Sequence, residues 1–289
     1  MQIVLTGATS GIGRGAAARL AANGARIIAG VRANQPVPGA ATLPLDLADL
    51  DSVRAFAAQI EGPIDALVLN AGLQVQNVTS RSVQDFELTF AVNHLAHYLL
   101  ARLLLPKISQ SGRIILTSSG THDPEEKTGI PAPRHADAAR LGNPESDPQL
   151  SKSAIAAGLR AYSSSKLCNL MTARSLAQRP EVTGKGIAVH AYDPGFIPAT
   201  GLGRAAPWPI RRLVLPFLAL LPPSKGSNRL SAGAKALAGL ADGSIDSDQV
   251  YMALRRGQAT WPQPSALARD DALCAKLWND SAAMVGLAD

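Results

Sequence analysis

A glycine-rich turn between the first apolar run and the first helical run constrains this chain more than any other feature. Residues 2–6 read as a buried strand, and Thr6-Gly-Ala-Thr-Ser-Gly-Ile-Gly13 leads directly into an alanine-rich helix over 12–23 that stops at Asn23-Gly24. Glycine at 7, 11 and 13 permits a tight turn and lets the backbone approach a pyrophosphate resting on the helix N-terminus. The spacing is G-x3-G-x-G, which differs from the common G-x-G-x-x-G fingerprint, so position after the first strand carries the argument.

The pattern that follows repeats the same alternation. Strands are expected at Arg26–Val31, 41–45, Asp65–Leu69, Arg113–Thr117, Gly186–Tyr192 and 249–254. Helices are expected near 49–60, 84–106, 151–180, 228–240 and 270–285. Short β-rich runs alternating with longer Ala/Leu-rich runs predict an α/β fold, a doubly wound parallel sheet flanked by helices. No repeat or linker divides the 289 residues, so one domain over 1–289 is expected. Residues 121–150 are rich in Pro, Asp, Glu and Gly and read as an excursion from the core. Pro194 to Pro223 is a second, proline-rich segment.

Composition narrows the class. Hydrophobic content of 46% and 17% charged residues suit a globular protein with a sizeable core. The net charge of +6 comes from scattered basic residues without interleaved aromatics, which gives no support to a nucleic-acid face. Cys168 and Cys274 are too few for a disulfide framework or metal cluster and read as buried thiols in a reducing compartment. The chain opens directly on a strand with no secretory pattern, and its most apolar stretch, Leu213 to Leu221, is too short to span a bilayer. A cytoplasmic protein is expected.

Tyr162-Ser-Ser-Ser-Lys166 supplies candidate chemistry. On a helix the two side chains share one face a turn apart, and an ammonium beside a phenol favours the phenolate. That would make Tyr162 a general acid or base usable at neutral pH. His94 and His97 have no companions spaced for a metal site, so no metal is expected. His122, just past Ser118-Ser119, reads as a solvated loop histidine or a substrate contact.

Thr6-Gly7, Gly11-Ile12-Gly13, Asn70-Ala71-Gly72, Asn93, Ser119, Tyr162-x3-Lys166 and Pro194-Gly195 occur in this order. Together they resemble the short-chain dehydrogenase/reductase family over essentially the whole chain. The resemblance implies a Rossmann-type domain with a substrate lid after the sixth strand. It implies that Tyr162 gives a proton to a carbonyl or takes one from an alcohol, while Lys166 depresses the Tyr162 pKa and binds the nicotinamide ribose. Ser119, the second serine of its pair, would hold the substrate oxygen, and Asn93 would bind a water linking Lys166 to bulk solvent. Cofactor contacts would come from Gly7, Thr9, Ser10, Gly11, Ile12, Gly13, Arg32, Asp46, Leu47, Asn70, Ala71, Gly72, Tyr162, Lys166, Pro194, Gly195 and Thr200.

Val31 stands where a carboxylate would bind the ribose 2′-hydroxyl of NAD, and Arg32 suits a 2′-phosphate. NADP(H) is therefore expected over NAD(H), with Asn34 and Arg14 as lesser candidates for the phosphate. The sequence distance between Ser119 and Tyr162 marks 121–155 as an insertion beside the site, and the apolar lid at 196–223 suggests an apolar carbonyl or alcohol. The same lid is a candidate for shallow membrane contact.

Asn93-His-Leu-Ala-His-Tyr, Tyr162-Ser-Ser-Ser-Lys-Leu-Cys-Asn and Pro194-Gly-Phe-Ile-Pro-Ala-Thr200 resemble the branch of retinol dehydrogenases and light-dependent protochlorophyllide reductases. Phe196 replaces the cysteine that follows Pro-Gly in the latter. The alternatives are a C=C reductase of that type and a non-catalytic NADP(H)-sensing regulator. The chain is expected to be a monomer or homodimer.

Overall fold

Eight strands form one sheet in the order β3-β2-β1-β4-β5-β6-β7-β8, all parallel except the last. The computed structural model describes residues 1–32, 35–198 and 227–287, so Asn34, Thr200 and most of the expected lid lie outside the described residues. The strands are β1 (Gln2–Thr6), β2 (Arg26–Val31), β3 (Ala40–Pro44), β4 (Ile64–Leu69), β5 (Ile108–Thr117), β6 (Ala188–Asp193), β7 (Tyr251–Arg255) and β8 (Gln258–Thr260). β1 lies between β2 and β4, so the connections leave it in opposite directions and open a crevice at its C-terminal end.

Helix α1 (Gly11–Ala22) and a later helix, α8 (Leu230–Asp242), cover one face through Ile12, Ala16, Leu20, Leu237 and Leu240. The other face carries α2 (Leu50–Gln59), α4 (Ala96–Leu104), the 24-residue α6 (Ala154–Ala177) and the C-terminal α10 (Asp271–Met284). Central strands are buried on both faces, which is why they read as unbroken apolar runs rather than alternating ones. Short elements α3 (Leu88–Phe90), α5 (Ala138–Gly142), α7 (Pro180–Thr183) and α9 (Ala266–Arg269) complete the set among the described residues.

Three departures from the sequence reading matter. The helix expected over 84–106 begins at Leu88, capped by the buried Glu87 carboxylate, which accepts from the Thr89 and Phe90 amides. It then widens into a π-helical turn at Ala91–Leu95 before α4, with the Ala96 amide bonding Ala91 O five residues back. β8 is an unanticipated antiparallel edge strand, too short to show a pattern. The excursion after β5 is ordered, containing α5 and three 3-10 turns, the first of them at Gly120–His122. The segment Leu88–Lys107 is long and apolar enough by composition to cross a membrane, but 83% of its apolar window is buried inside the fold.

α10 seals the outer groove beside α4 and α6. Trp278 is almost fully buried, with the Arg179 guanidinium 4.1 Å and that of Arg102 4.9 Å from its ring centre, and Tyr98 edge-on at 4.9 Å. Tyr98 Oη donates to Trp278 O at 3.0 Å. Replacing Trp278 with Ala removes the packing and both cation–π contacts, so urea unfolding should show a loss of about 3–5 kcal/mol with an unchanged m-value. A loss below about 1 kcal/mol would show that α10 is not integral to the core.

Candidate active site

The glycine turn after β1 serves two physical needs. Gly7 has φ +74°, and a Cβ there would sit 2.8 Å from Ala71 Cα; a Cβ on Gly13 would sit 2.2 Å from Gly7 O. Both glycines thus let the turn pack on the end of β4. Gly11, with φ +57°, has nothing within 4 Å of its missing Cβ and faces open space. The N-cap Ser10 makes no side-chain bond to α1, and the first turn holds no acid, so the helix N-terminus is free to meet an anion.

That N-terminus borders a cleft of about 570 Å³. Gly7, Thr9, Ser10, Gly11, Ile12, Gly13, Val31, Arg32, Asp46, Leu47, Asn70, Ala71, Gly72, Tyr162, Lys166 and Pro194 all line it. Gly195 has φ +66° and donates its amide to Asp193 Oδ1 at 2.8 Å. Arg14 does not line the cleft; Gln35, Leu73, Leu88 and Val92 do. The last three escaped notice because apolar residues in a helix or loop carry no local mark of a binding role. The uncapped helix, the glycine cradle and an exposed Arg32 fit a dinucleotide whose pyrophosphate meets α1. No group of three metal-ligating side chains occurs among the described residues.

At the far end of the cleft α6 presents Tyr162 and Lys166. The Lys166 ammonium donates to Thr117 O at 3.0 Å, and Asn169 Nδ2 donates to the same carbonyl at 3.0 Å. Lys166 Nζ lies 5.6 Å from the Tyr162 ring centre. A Cβ on Gly72 would come within 3.3 Å of Nζ, so glycine keeps the space beside the amine clear. Ser118 Oγ donates to Lys166 O at 2.8 Å and is committed to holding α6. Ser119 Oγ accepts from the Thr121 amide at 3.3 Å and lies close enough to Tyr162 to bear on its phenol. Ser118 lines the cleft and Ser119 does not, so the structure does not by itself single out the second serine.

Two expectations change. Tyr162 is not shifted downward: burial pushes its phenol up, the nearby Ser119 hydroxyl opposes this, and the Asp193 charge adds to the rise. Burial also lowers Lys166 to about 8, against the attraction of Asp193. The amine bonds a carbonyl beneath the ring instead of the phenol oxygen, so burial outweighs its field. His122 is not solvated. It is buried, with Nδ1 on Ser119 O at 2.7 Å and Nε2 accepting from the Ser265 amide at 3.4 Å.

The Asn93 side chain is fully engaged. Its Oδ1 accepts from the Leu73 amide at 2.8 Å, and Nδ2 donates to Leu73 O at 2.9 Å and to Ser165 Oγ at 3.0 Å. Its expected role of holding a water is therefore open only to its carbonyl, which already accepts from His97 Nδ1 at 3.0 Å. The His97 tautomer follows from counting. Thr6 Oγ1 accepts the Asn70 and Ala71 amides at 2.9 and 3.0 Å, so its proton goes to His97 Nε2 at 3.0 Å. His97 is neutral with its proton on Nδ1, and burial lowers its pKa to about 4. This link joins β1, β4 and the π-helical turn; the sequence held the residues but no sign that they meet.

With this geometry in view, comparison with known proteins is informative. A short chain dehydrogenase family model matches residues 1–128. Dehydrogenase/reductase SDR family member 13 of Bos taurus is 32% identical over 309 residues, covering 98% of this chain and 73% of that protein. The chain belongs to the short-chain dehydrogenase/reductase family. Protochlorophyllide reductase A of Arabidopsis thaliana is 32% identical over 314 residues, covering 99% of this chain and 77% of that protein, in line with the branch the motifs resemble. Among solved structures, BdcA in complex with NADPH has the same fold, with a TM-score of 0.61, 21% identity, and coverage of 91% and 96% of the two chains.

Lys166 makes pH dependence measurable without substrate. Its folded pKa of about 8 lies below the ordinary 10.5, so between these values the unfolded chain holds a proton that the folded chain has released. Stability should therefore rise with pH across this window, by about 1.4 kcal/mol per unit at most, relative to Lys166→Met. Unfolding midpoints from pH 7 to about 9.5 should show the difference opening; a flat difference would mean that Lys166 titrates normally.

Proposed function

We propose that this short-chain dehydrogenase/reductase is an NADP(H)-dependent enzyme acting on an apolar carbonyl or alcohol. The observation that carries the reading is the buried Tyr162 phenol with the Lys166 amine 5.6 Å from its ring centre, both lining the end of a glycine-cradled cleft. When bound, the nicotinamide supplies or accepts a hydride at the substrate carbon. Burial keeps Tyr162 protonated, the form needed to donate to oxygen as a carbonyl is reduced. Ser119 would hold that same oxygen and orient it toward the phenol. The fixed ammonium of Lys166 would stabilise the phenolate left behind.

NADP(H) is favoured over NAD(H) because Val31 and Arg32 line the cleft at the end of β2, with no carboxylate there to hold a 2′-hydroxyl. The solved NADPH complex of the same fold supports that preference. The apolar substrate class is supported by Phe196, 52% exposed two residues past the cleft-lining Pro194. A second reading, reduction of a C=C bond, is supported by the similarity to a protochlorophyllide reductase. Against it stands Phe196 in place of cysteine after Pro194-Gly195.

NADPH should raise the melting temperature more than NADH at equal concentration, and Arg32→Gln should weaken NADPH binding about tenfold, ~1.4 kcal/mol. With a panel of apolar ketones and aldehydes, Tyr162→Phe should lower kcat by about 10²–10⁴-fold while leaving the NADPH-induced melting shift in place. No shift with either nucleotide would contradict the proposal, and undiminished turnover in Tyr162→Phe would remove Tyr162 from its role.

A further inference from the structure

At the C-terminal end of β6 stands a carboxylate that the scheme above does not use. Thr117 pairs with Tyr192 across β5 and β6, so Asp193 stands beside Ser118, one residue past the carbonyl that holds Lys166. Side chains alternate across a strand. Tyr192 sends its hydroxyl to Gly233 of α8 on one face, so Asp193 points to the other, where Ser118 Oγ meets α6. Its side chain is 1% exposed. A Cβ on Gly120 would lie 3.1 Å from Asp193 Oδ2, so glycine admits the carboxylate next to Ser119.

A buried charge needs a partner. Arg255 lies two residues beyond Ala253, the β7 residue paired with Asp193, and so on the same face. Its Nη1 donates to Asp193 Oδ2 at 2.8 Å, the Tyr251 hydroxyl donates to the same oxygen at 3.3 Å, and the Gly195 amide holds Oδ1. Arg255 Nη2 is turned away to Glu126 Oε1 at 2.7 Å, so its charge is divided between two acids. The titratable groups around Asp193 are thus Arg255 and Tyr251 from β7, Glu126 through Arg255 and the adjacent Tyr192, with Tyr162 and Lys166 of α6 within range of its charge. His122 stacks edge-on against Tyr251 at 5.1 Å and is held by Ser119 O and the Ser265 amide. Asp193 favours the charged form of Lys166 and opposes the phenolate of Tyr162.

We propose that Asp193, held by Arg255, is a positioning residue that keeps Lys166 an ammonium at neutral pH. The proposal rests on reading Tyr162 and Lys166 as the proton-transfer pair. It requires Asp193 to act by charge through Lys166 and not only by bracing the strand ends.

The test measures stability against pH in the full chain and in its Lys166→Met counterpart; the difference bends where Lys166 titrates, about 8 in the parent. Asp193→Asn should move the bend down by about one pH unit, a tenfold loss of proton affinity, and Arg255→Met should move it up. Arg255→Lys, which keeps the charge, should restore the parent value, and it carries the test with Arg255→Met if Asp193→Asn does not fold. A bend that stays put, or moves the same way in Asp193→Asn and Arg255→Met, would overturn the proposal and leave a structural ion pair. NADPH oxidation with an apolar ketone should show its alkaline limb moving with the bend. A moving bend without turnover of any carbonyl would sink the hydride-transfer reading alone; turnover with a fixed bend would sink this inference alone.

Discussion

The carbonyl of Thr117 accepts both the Lys166 ammonium and the Asn169 amide, and the placement of α6 at the active site depends on that pin. It fastens α6 to the last residue of β5. Tyr162 lies one helical turn before Lys166 and Ser119 lies just past the strand, so one shared acceptor brings the phenol to the C-terminal end of β5. Ser118 Oγ closes the same joint from the other direction by bonding Lys166 O. Burying an amine this way costs free energy, and the lowered pKa of Lys166 expresses that cost. The site is thus chemically poised by its burial as much as by which residues it contains.

Beneath it lies a second layer of neutral polar groups. His97 links Thr6 to the Asn93 carbonyl, and His94 bonds Ser281 Oγ of α10 at 2.9 Å while burial holds its pKa near 3. Both imidazoles are uncharged hydrogen-bonding struts, so neither supplies a proton near neutral pH. The π-helical turn at Ala91–Leu95 sits in this layer. Its wider winding breaks the usual i→i−4 ladder in the segment that carries Asn93, leaving side chains to satisfy the backbone there. The glycine turn, β4, the Asn93 segment and α10 are thereby tied to the floor of the cleft, which is the kind of support a preorganised site requires.

What the sequence revealed was local. Gly7, Gly11 and Gly13 announce their turn because only backbone freedom and close approach demand them, and Tyr162 with Lys166 announces a shared helical face. Ser119 is preferred to Ser118 only through the resemblance, since the sequence alone does not show which serine faces the site. What it concealed depends on the assembled fold. The rise in the Tyr162 pKa is set by burial, which no local pattern reports. The π-helical turn, whose Asn93 bonds Leu73 and Ser165 across the chain, has no local sequence mark, and β8 is too short to be periodic. His122 read as a loop residue because its partners, Ser265 and Tyr251, come from the far end of the sequence. Asp193 looked like an ordinary strand terminus until Arg255 was brought beside it.

The account stands on Tyr162 and Ser119 delivering a proton to a carbonyl oxygen as hydride reaches the adjacent carbon. An apolar conjugated enone offers both a C=O and a C=C bond to the same site, and NADPH carrying deuterium at C4 of the nicotinamide marks which one is reduced. Deuterium on the carbinol carbon of the product, found by mass spectrometry and NMR and lost in Tyr162→Phe, is the predicted result. Deuterium on the β-carbon, with the carbonyl intact, would contradict it.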